Sequence, residues 1–258
     1  SKTRWAASTC SYEQELQNFA NWFSYYRSRL LAARAGVGRA FSQQRGDLRI
    51  GYAAINARDT AVDGQTMDSV VRGVRPFTGS DRSEFFDLLY ARPIRLGGTP
   101  LRSASDNVGR YFQRTDAKSP WRKEMTSSTT SVEFSCYRNF HILMTDGYWS
   151  ADDFINNNVI NYGDVDGTAG PTTHQHADRT DLSYRYEPAP PFSDRATAEA
   201  TGYANTLADI AMHHWKADLR SDLANNVPTD PHNPAFWQHL STYTIGFGLT
   251  GLLSQTQV

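Results

Sequence analysis

The sequence predicts an α/β protein built on an open, mostly parallel sheet flanked by helices. Three observations carry that expectation. Apolar residues near the N-terminus recur at helical spacing, four short apolar segments read as strands, and further helical segments lie between them. A long stretch rich in Asn, Asp, Gly, Thr and Pro, at about 150–197, reads as a polar insertion in a single domain spanning 1–258.

The elements follow in order. Leu16, Phe19, Phe23, Tyr26, Leu30, Ala33, Val37 and Phe41 succeed one another at intervals of three or four. That is one face of a single helix over 12–41, about 45 Å long at about 1.5 Å per residue. Gly36 and Gly38 keep the phase and read as a close-packing surface. The aromatic side of this helix is expected to pack in the core, with Tyr25 or Trp22 left over for the outside and a partner surface as the rival reading. Strands are expected at 48–55, 69–74, 140–145 and 243–247, and helices at 81–90, 101–112 and 201–219.

Composition narrows the function classes. The 258 residues carry 26 Lys and Arg against 27 Asp and Glu, so nothing suggests a nucleic-acid binder with a strong basic excess. Hydrophobic residues at 39% and aromatics at 12% are too many for a disordered chain. No apolar run reaches the roughly 18 to 20 residues of a membrane span. The N-terminal Ser-Lys-Thr-Arg-Trp has no apolar signal core and no initiator Met, which gives the expectation of an excised or processed piece. Cys10 and Cys136 form no Cys-x-x-Cys motif. They are expected at opposite ends of the sheet, too far apart to bond to each other.

Asp146 and Gly147 end the apolar strand FHILMT, where an open α/β sheet gathers its ligands. Asp146 is therefore a candidate metal ligand or catalytic acid, although an Asp capping the next turn is the plainer reading. Thr99-Pro100 reads on spacing alone as a helix start, with the hydroxyl as N-cap and Pro at the first helical position. Asp164-Val-Asp166-Gly167 has the ending of a calcium loop. Tyr162 and Thr173 stand where further ligands belong, so a polar turn reads better, with a weak calcium loop as the rival. His174, His176 and Asp178 read as solvated loop residues, and His213 and His214 as packing and surface residues. Arg102, Arg110, Arg114, Arg122 and Lys123 read as a solvated basic face.

LGGTPLRSA, FHILMTDGYWS and YTIGFG together resemble a von Willebrand factor A domain, an open Rossmann-like sheet flanked by helices. More narrowly, QNFANWFSYYRSRLLAARAGVGRAF, RIGYAAIN, CYRNFHILMTDGYW, DVDGTAGP, NTLADIAMHHWKADLR and NNVPTDPHNPAFWQHLSTYTIGFG resemble the PilY family of type IV pilus biogenesis and tip-adhesin proteins. The resemblance covers 10–249. It implies a metal-ion-dependent adhesion site made by three loops: an Asp-x-Ser-x-Ser, a Thr and an Asp. Thr99 matches the second loop and Asp146 the third. The Asp-x-Ser-x-Ser and the first central strand that carries it are absent from this sequence.

The resemblance thus implies a non-enzymatic domain exported to the outer membrane, pilus tip or cell surface of a bacterium, acting in pilus biogenesis, surface attachment and twitching motility. The implied partners are minor pilus subunits or a surface ligand, together with the rest of the parent chain. Mg²⁺ or Ca²⁺ is the implied ion at an incomplete site. One hydroxyl and one carboxylate fall short of the six or so oxygens a hard cation needs, so the chain is expected to bind such ions weakly at best. The rivals are a metal-dependent hydrolase using Asp146 with His174 and His176, and a scaffold whose metal site is vestigial.

Overall fold

Two serines divide the aromatic N-terminal stretch. In the computed structural model, which describes residues 9–44, 47–93, 97–123, 132–147, 149–150, 154–155, 158–176, 179–194 and 202–247, Ser11 opens helix α1 (Tyr12–Tyr25). Its hydroxyl accepts from Gln14 N and the Gln14 side chain accepts from Ser11 N, a complete capping box. Ser28 then caps a second helix, α2 (Arg29–Ser42), by accepting from Leu31 N. The expected single long helix is therefore two, because a hydroxyl at Ser28 satisfies a new helix start just past Tyr25.

The expected burial of the aromatic stripe is corrected as well. No residue of α1 is buried, and Phe19, Trp22 and Phe23 are 59%, 51% and 48% exposed. Their rings contact one another, Phe19 tilted against Trp22 at 5.8 Å and stacked on Phe23 at 6.2 Å. The second half of the stripe does pack. Val37 and Phe41 lie against Phe77, Phe85 and Leu89, and a Cβ on Gly38 would run into the Tyr90 hydroxyl. Of the two glycines, Gly38 is the close-packing one, and Gly36 faces open space.

Among the described residues the strands form five two-stranded pairs. β1 (Arg49–Ala53) pairs antiparallel with β4 (Val70–Pro76), and between them β2 (Thr60–Val62) and β3 (Gln65–Met67) make a tight hairpin. Asp63 and Gly64 at its tip take φ of 54° and 79°, the left-handed pair that such a two-residue turn requires. β5 (Asn139–Thr145) pairs parallel with β10 (Leu240–Gly246) in unbroken register from Asn139↔Leu240 to Thr145↔Gly246. In the insertion β6 (Phe154–Ile155) pairs with β7 (Asn158–Val159), and β8 (Thr172–His176) with β9 (Arg179–Arg185), both antiparallel. The mostly parallel sheet expected from sequence is thus, among the described residues, one parallel pair and four antiparallel ones. Hairpin connections force antiparallel pairing, and the parallel pair has a long crossover through a helix.

Helices α3 (Gly79–Ala91), α4 (Leu101–Tyr111) and α5 (Leu207–Lys216) complete the order. A core of Val62, Val70, Tyr111, Phe112, Trp121, Leu219 and Leu240 fills the space around α4 and the start of β10. Trp121 Nε1 donates to Phe112 O at 2.8 Å. The basic stretch is a solvated face only in part: Arg110 and Lys123 are exposed, whereas Arg114 and Arg122 are buried beside Arg220. Arg220 donates to Arg114 O at 2.9 Å, Ser119 Oγ at 3.0 Å and both Glu133 oxygens at 3.0 Å. Guanidinium donors satisfied by carbonyls and carboxylates can be buried where a partnerless charge could not.

One buried carboxylate joins the helices. Asp106 on α4 accepts from His214 Nε2 on α5 at 2.9 Å, from Tyr162 OH at 2.6 Å and from Arg110 Nε at 2.6 Å. Next to it Gly109 admits the His214 ring so closely that a Cβ there would lie 2.3 Å from three ring atoms. His213 stacks on Tyr162 at 3.9 Å between centroids. His213 and His214 are packing residues, as their adjacency predicts, with His214 fully inside.

Burial works against the Asp106 charge, but the hydrogen bonds from His214, Tyr162 and Arg110 outweigh it and bring the carboxyl down to about 2. A carboxyl lowered on folding stabilises the native state fully above its unfolded value and loses that effect as pH falls toward its folded value. About 2 kcal/mol of stability is therefore expected to disappear between about pH 4 and pH 2. Acid titration followed by tryptophan fluorescence should show a steeper loss over that window in the parent than in Asp106→Asn, which starts lower at neutral pH. Parallel curves would remove Asp106 from this role. Gly109→Ala is expected to cost roughly 1 to 3 kcal/mol by overpacking, read as a lowered urea midpoint.

Candidate functional site

Loops from three elements meet beyond the ends of β1 and β5. Asp146 and Gly147 directly follow β5, Thr99 precedes α4, and Asn56 follows β1. Ser150 ties the first two loops together: its amide donates to Thr99 O at 3.0 Å, and its hydroxyl accepts from the Thr99 amide. Asn56 Nδ2 donates to Gly98 O at 2.9 Å and anchors the Thr99 loop to β1. Thr145 Oγ1 donates to Gly147 O at 2.9 Å, shaping the turn that carries Asp146. The two residues singled out by sequence, Thr99 and Asp146, thus stand on loops bonded to each other.

Thr99 is not a helix cap. α4 begins at Leu101 with Pro100 in the cap position and no side-chain cap bond. The spacing argument for a purely structural Thr99 therefore loses its basis, because the rigid Pro ring has taken the capping position itself. Asp146 pairs with Arg29 of α2 at 3.5 Å, with both side chains more than half exposed. An exposed pair of that length contributes little stability. A cleft of about 350 Å³ adjoins it, lined among others by Arg29, Ala33, Tyr52, Ile55, Met144 and Asp146.

A second cluster lies apart, where the insertion meets α5. Thr206 and Asp209 form a capping box at the start of that helix. Asp209 Oδ2 accepts from Thr206 N at 2.7 Å and Thr206 Oγ1 at 2.9 Å. Its Oδ1 accepts from Val165 N at 2.6 Å and Asp166 N at 3.3 Å, which pins the 164–167 turn to the helix. Asp164 Oδ1 accepts from Gly167 N at 2.7 Å. Lys216 Nζ donates to Val165 O at 2.6 Å and Thr168 O at 3.0 Å. Burial, followed by repulsion from Asp209, Asp194 and Asp164, pushes the Asp166 carboxyl up to about 7.

Asp164, Asp166 and Asp209 offer oxygens within 4.8 Å of one another, the one such group of His, Cys, Asp and Glu among the described residues. Sequence reading found Asp164 and Asp166 but missed Asp209. Its signal was the Thr-x-x-Asp capping box, which announces a helix start and says nothing of a neighbouring turn. The DVDG segment is more than a polar turn, since Asp166 is fully buried.

His174 sits exposed on β8 and is not part of that group; its carbonyl accepts from Asn225 Nδ2 at 2.9 Å. The side chain of His176, and Asp178, lie outside the described residues. Cys10 and Cys136 are free thiols, with Cys136 exposed. Among the described residues no helix is long and apolar enough to cross a membrane.

The chain is similar to curated type IV pilus biogenesis factors named PilY1 from Pseudomonas aeruginosa. Identity is 33% over 256 residues with that of strain PAK and 33% over 262 residues with that of strain PAO1, covering 92% and 93% of this chain. With that of strain UCBPP-PA14 it is 30% over 252 residues, covering 90%. The chain spans about one fifth of the length of these relatives. No family model matches it, and no solved structure matches it.

The two threonines before helices separate capping from other roles. Thr206→Val, which deletes a real cap, is expected to cost about 1 kcal/mol. Thr99→Val should leave the chemical-denaturation midpoint within the ~0.5 kcal/mol range of a surface change. Equal losses would restore Thr99 as a structural cap.

Proposed function

The chain belongs to the PilY family, and on that footing we propose that it is the von Willebrand A-like adhesion domain of a type IV pilus biogenesis factor. The observation that carries this reading is the bonding of the Thr99 loop to the Asp146 loop through Ser150, with the Thr99 hydroxyl not engaged as a helix cap. A hydroxyl and a carboxylate on adjoining loops are two of the three contributions an adhesion-type cation site needs. Each is a hard oxygen donor suited to Mg²⁺ or Ca²⁺.

The donor set fits only in part. The Asp-x-Ser-x-Ser loop is missing from the sequence, and Arg29 lies against the Asp146 carboxylate. Thr99 and Asp146 hold a cation there only when that loop is supplied from elsewhere in the parent chain. β5 has a strand partner on one edge only among the described residues, so an added central strand has an edge to join.

The chemistry of such a site is binding rather than turnover. Hydroxyls and carboxylates around a divalent ion leave a position for a partner's carboxylate, and no base or nucleophile takes part. The partner in this reading is a minor pilus subunit or a surface ligand. The protein is exported and works at the outer membrane, pilus tip or cell surface, in attachment and twitching motility. The hydrolase reading finds less support, because His174 is not grouped with Asp146 among the described residues.

The test replaces the parent gene in a piliated bacterium with its Asp146→Ala form and counts attached cells, twitching zone and surface pili. Attachment is expected to fall several-fold with pilus number and protein level unchanged. Arg29→Ala serves as the matched surface control and should retain attachment. Full attachment in Asp146→Ala would leave the scaffold reading in its place.

A further inference from the structure

We infer that Asp164, Asp166 and Asp209 form a Ca²⁺ site that staples the insertion to α5. The inference does not rest on the adhesion reading, since none of these residues touches the Thr99 or Asp146 loops in the contacts described above. It departs from the expectation of weak binding at best, which counted only Thr99 and Asp146.

Two independent observations meet here. The first is convergence: two carboxylates from one turn and a third from a helix start offer oxygens within 4.8 Å of one another. The second is an orphan. Asp166 is 1% exposed, and its Oδ1 is buried with no hydrogen-bond partner. A buried carboxylate oxygen left unsatisfied costs free energy that a ligand inside the cluster would recover. Water or an N–H could serve a single orphan, but three carboxylates together also call for positive charge.

The surroundings supply too little of that charge. Asp194 adds its field to those of Asp164 and Asp209, all three raising the Asp166 carboxyl. The cation facing them is Lys216, whose ammonium is already bonded to Val165 O, Thr168 O and Thr168 Oγ1. Desolvation lowers the Lys216 pKa, against the opposing pull of Asp166, Asp209 and Asp164.

The donor set selects the ion. It holds oxygens and neither His nor Cys, which disfavours zinc and copper. Asp164 and Asp209 are fixed by backbone amides, so ligand directions follow the turn and the cap rather than an octahedron. Ca²⁺ accepts irregular shells of six to eight oxygens, whereas Mg²⁺ demands near-octahedral geometry. A carboxylate oxygen that already accepts one N–H keeps a lone pair for a metal. The bound ion would lock 164–167 onto α5 and take the place of a proton on Asp166.

The test uses chelator-stripped protein, with calorimetric titration and thermal unfolding in Ca²⁺ and in Mg²⁺. One Ca²⁺ per chain with micromolar affinity is expected, with Mg²⁺ at least about tenfold weaker and the melting midpoint rising in Ca²⁺. Asp166→Asn should abolish the Ca²⁺ response and raise the metal-free midpoint by removing a buried charge, while Asp87→Asn, exposed on α3, should keep the response intact. If Asp166→Asn fails to fold, Asp164→Asn at the less buried position is expected to weaken Ca²⁺ binding by about tenfold or more. No heat and no midpoint shift in millimolar Ca²⁺ would overturn the site. So would binding that survives Asp166→Asn, or binding lost in Asp146→Ala, which would move the ion to the Thr99 and Asp146 loops.

Discussion

The Asp106 carboxylate holds three donors from three parts of the chain: Arg110 one turn along its own helix, His214 on α5 and Tyr162 at the edge of the insertion. Such a group is costly to bury and is kept only where every oxygen is well satisfied. Gly109 makes the arrangement possible by removing the one side chain that would hold α5 away. With α5 fixed against α4, the Thr206–Asp209 cap comes to rest under the 164–167 turn, and the remainder of α5 lies along β10. At its other end, α4 begins beside the Thr99 loop that Ser150 joins to β5. Both candidate sites are thus positioned from the same pair of helices, one at each N-terminal end.

The four segments read as strands are all found, each within a few residues, because short β-rich runs between polar breaks leave little other choice. The pairing was not legible. Whether two strands run parallel depends on the path between them, and the β2–β3 hairpin shows its hand only through Asp63-Gly64. The N-terminal stripe misled for a different reason. Its period is helical throughout, and a phase-preserving break at Ser28 leaves no trace in an apolar count. Arg114 and Arg122 were misjudged because net charge says nothing of local carbonyls; both are buried by the acceptors that surround them. Asp146 and Thr99 were readable from motif and position, whereas Asp209 needed three-dimensional information, since its partners lie far back in the insertion.

Exposed apolar surface is unusually concentrated. α1 presents Leu16, Phe19, Trp22, Phe23 and Tyr25 on a helix with no buried residue. The β5–β10 pair presents Phe140, Ile142, Tyr243 and Ile245, with the Phe140 and Tyr243 rings tilted against each other at 6.1 Å. Scattered apolar residues on a surface need no explanation, but patches of this kind are characteristic of contact surfaces.

The parallel register of β5 with β10 also governs the order in which the protein can be made. Thr145 and Leu240 bound a connection that includes two hairpins, the acidic turn and α5. Closing so long a loop costs entropy before any of its contacts form, and non-local parallel pairing is intrinsically slow. The β1–β4 unit can close early from neighbouring residues, while β5 must wait with both edges open until the last strand arrives. In synthesis from N- to C-terminus, β5 is therefore made well before the strand it pairs with. The pairing waits on a seven-residue strand that lies beyond α5.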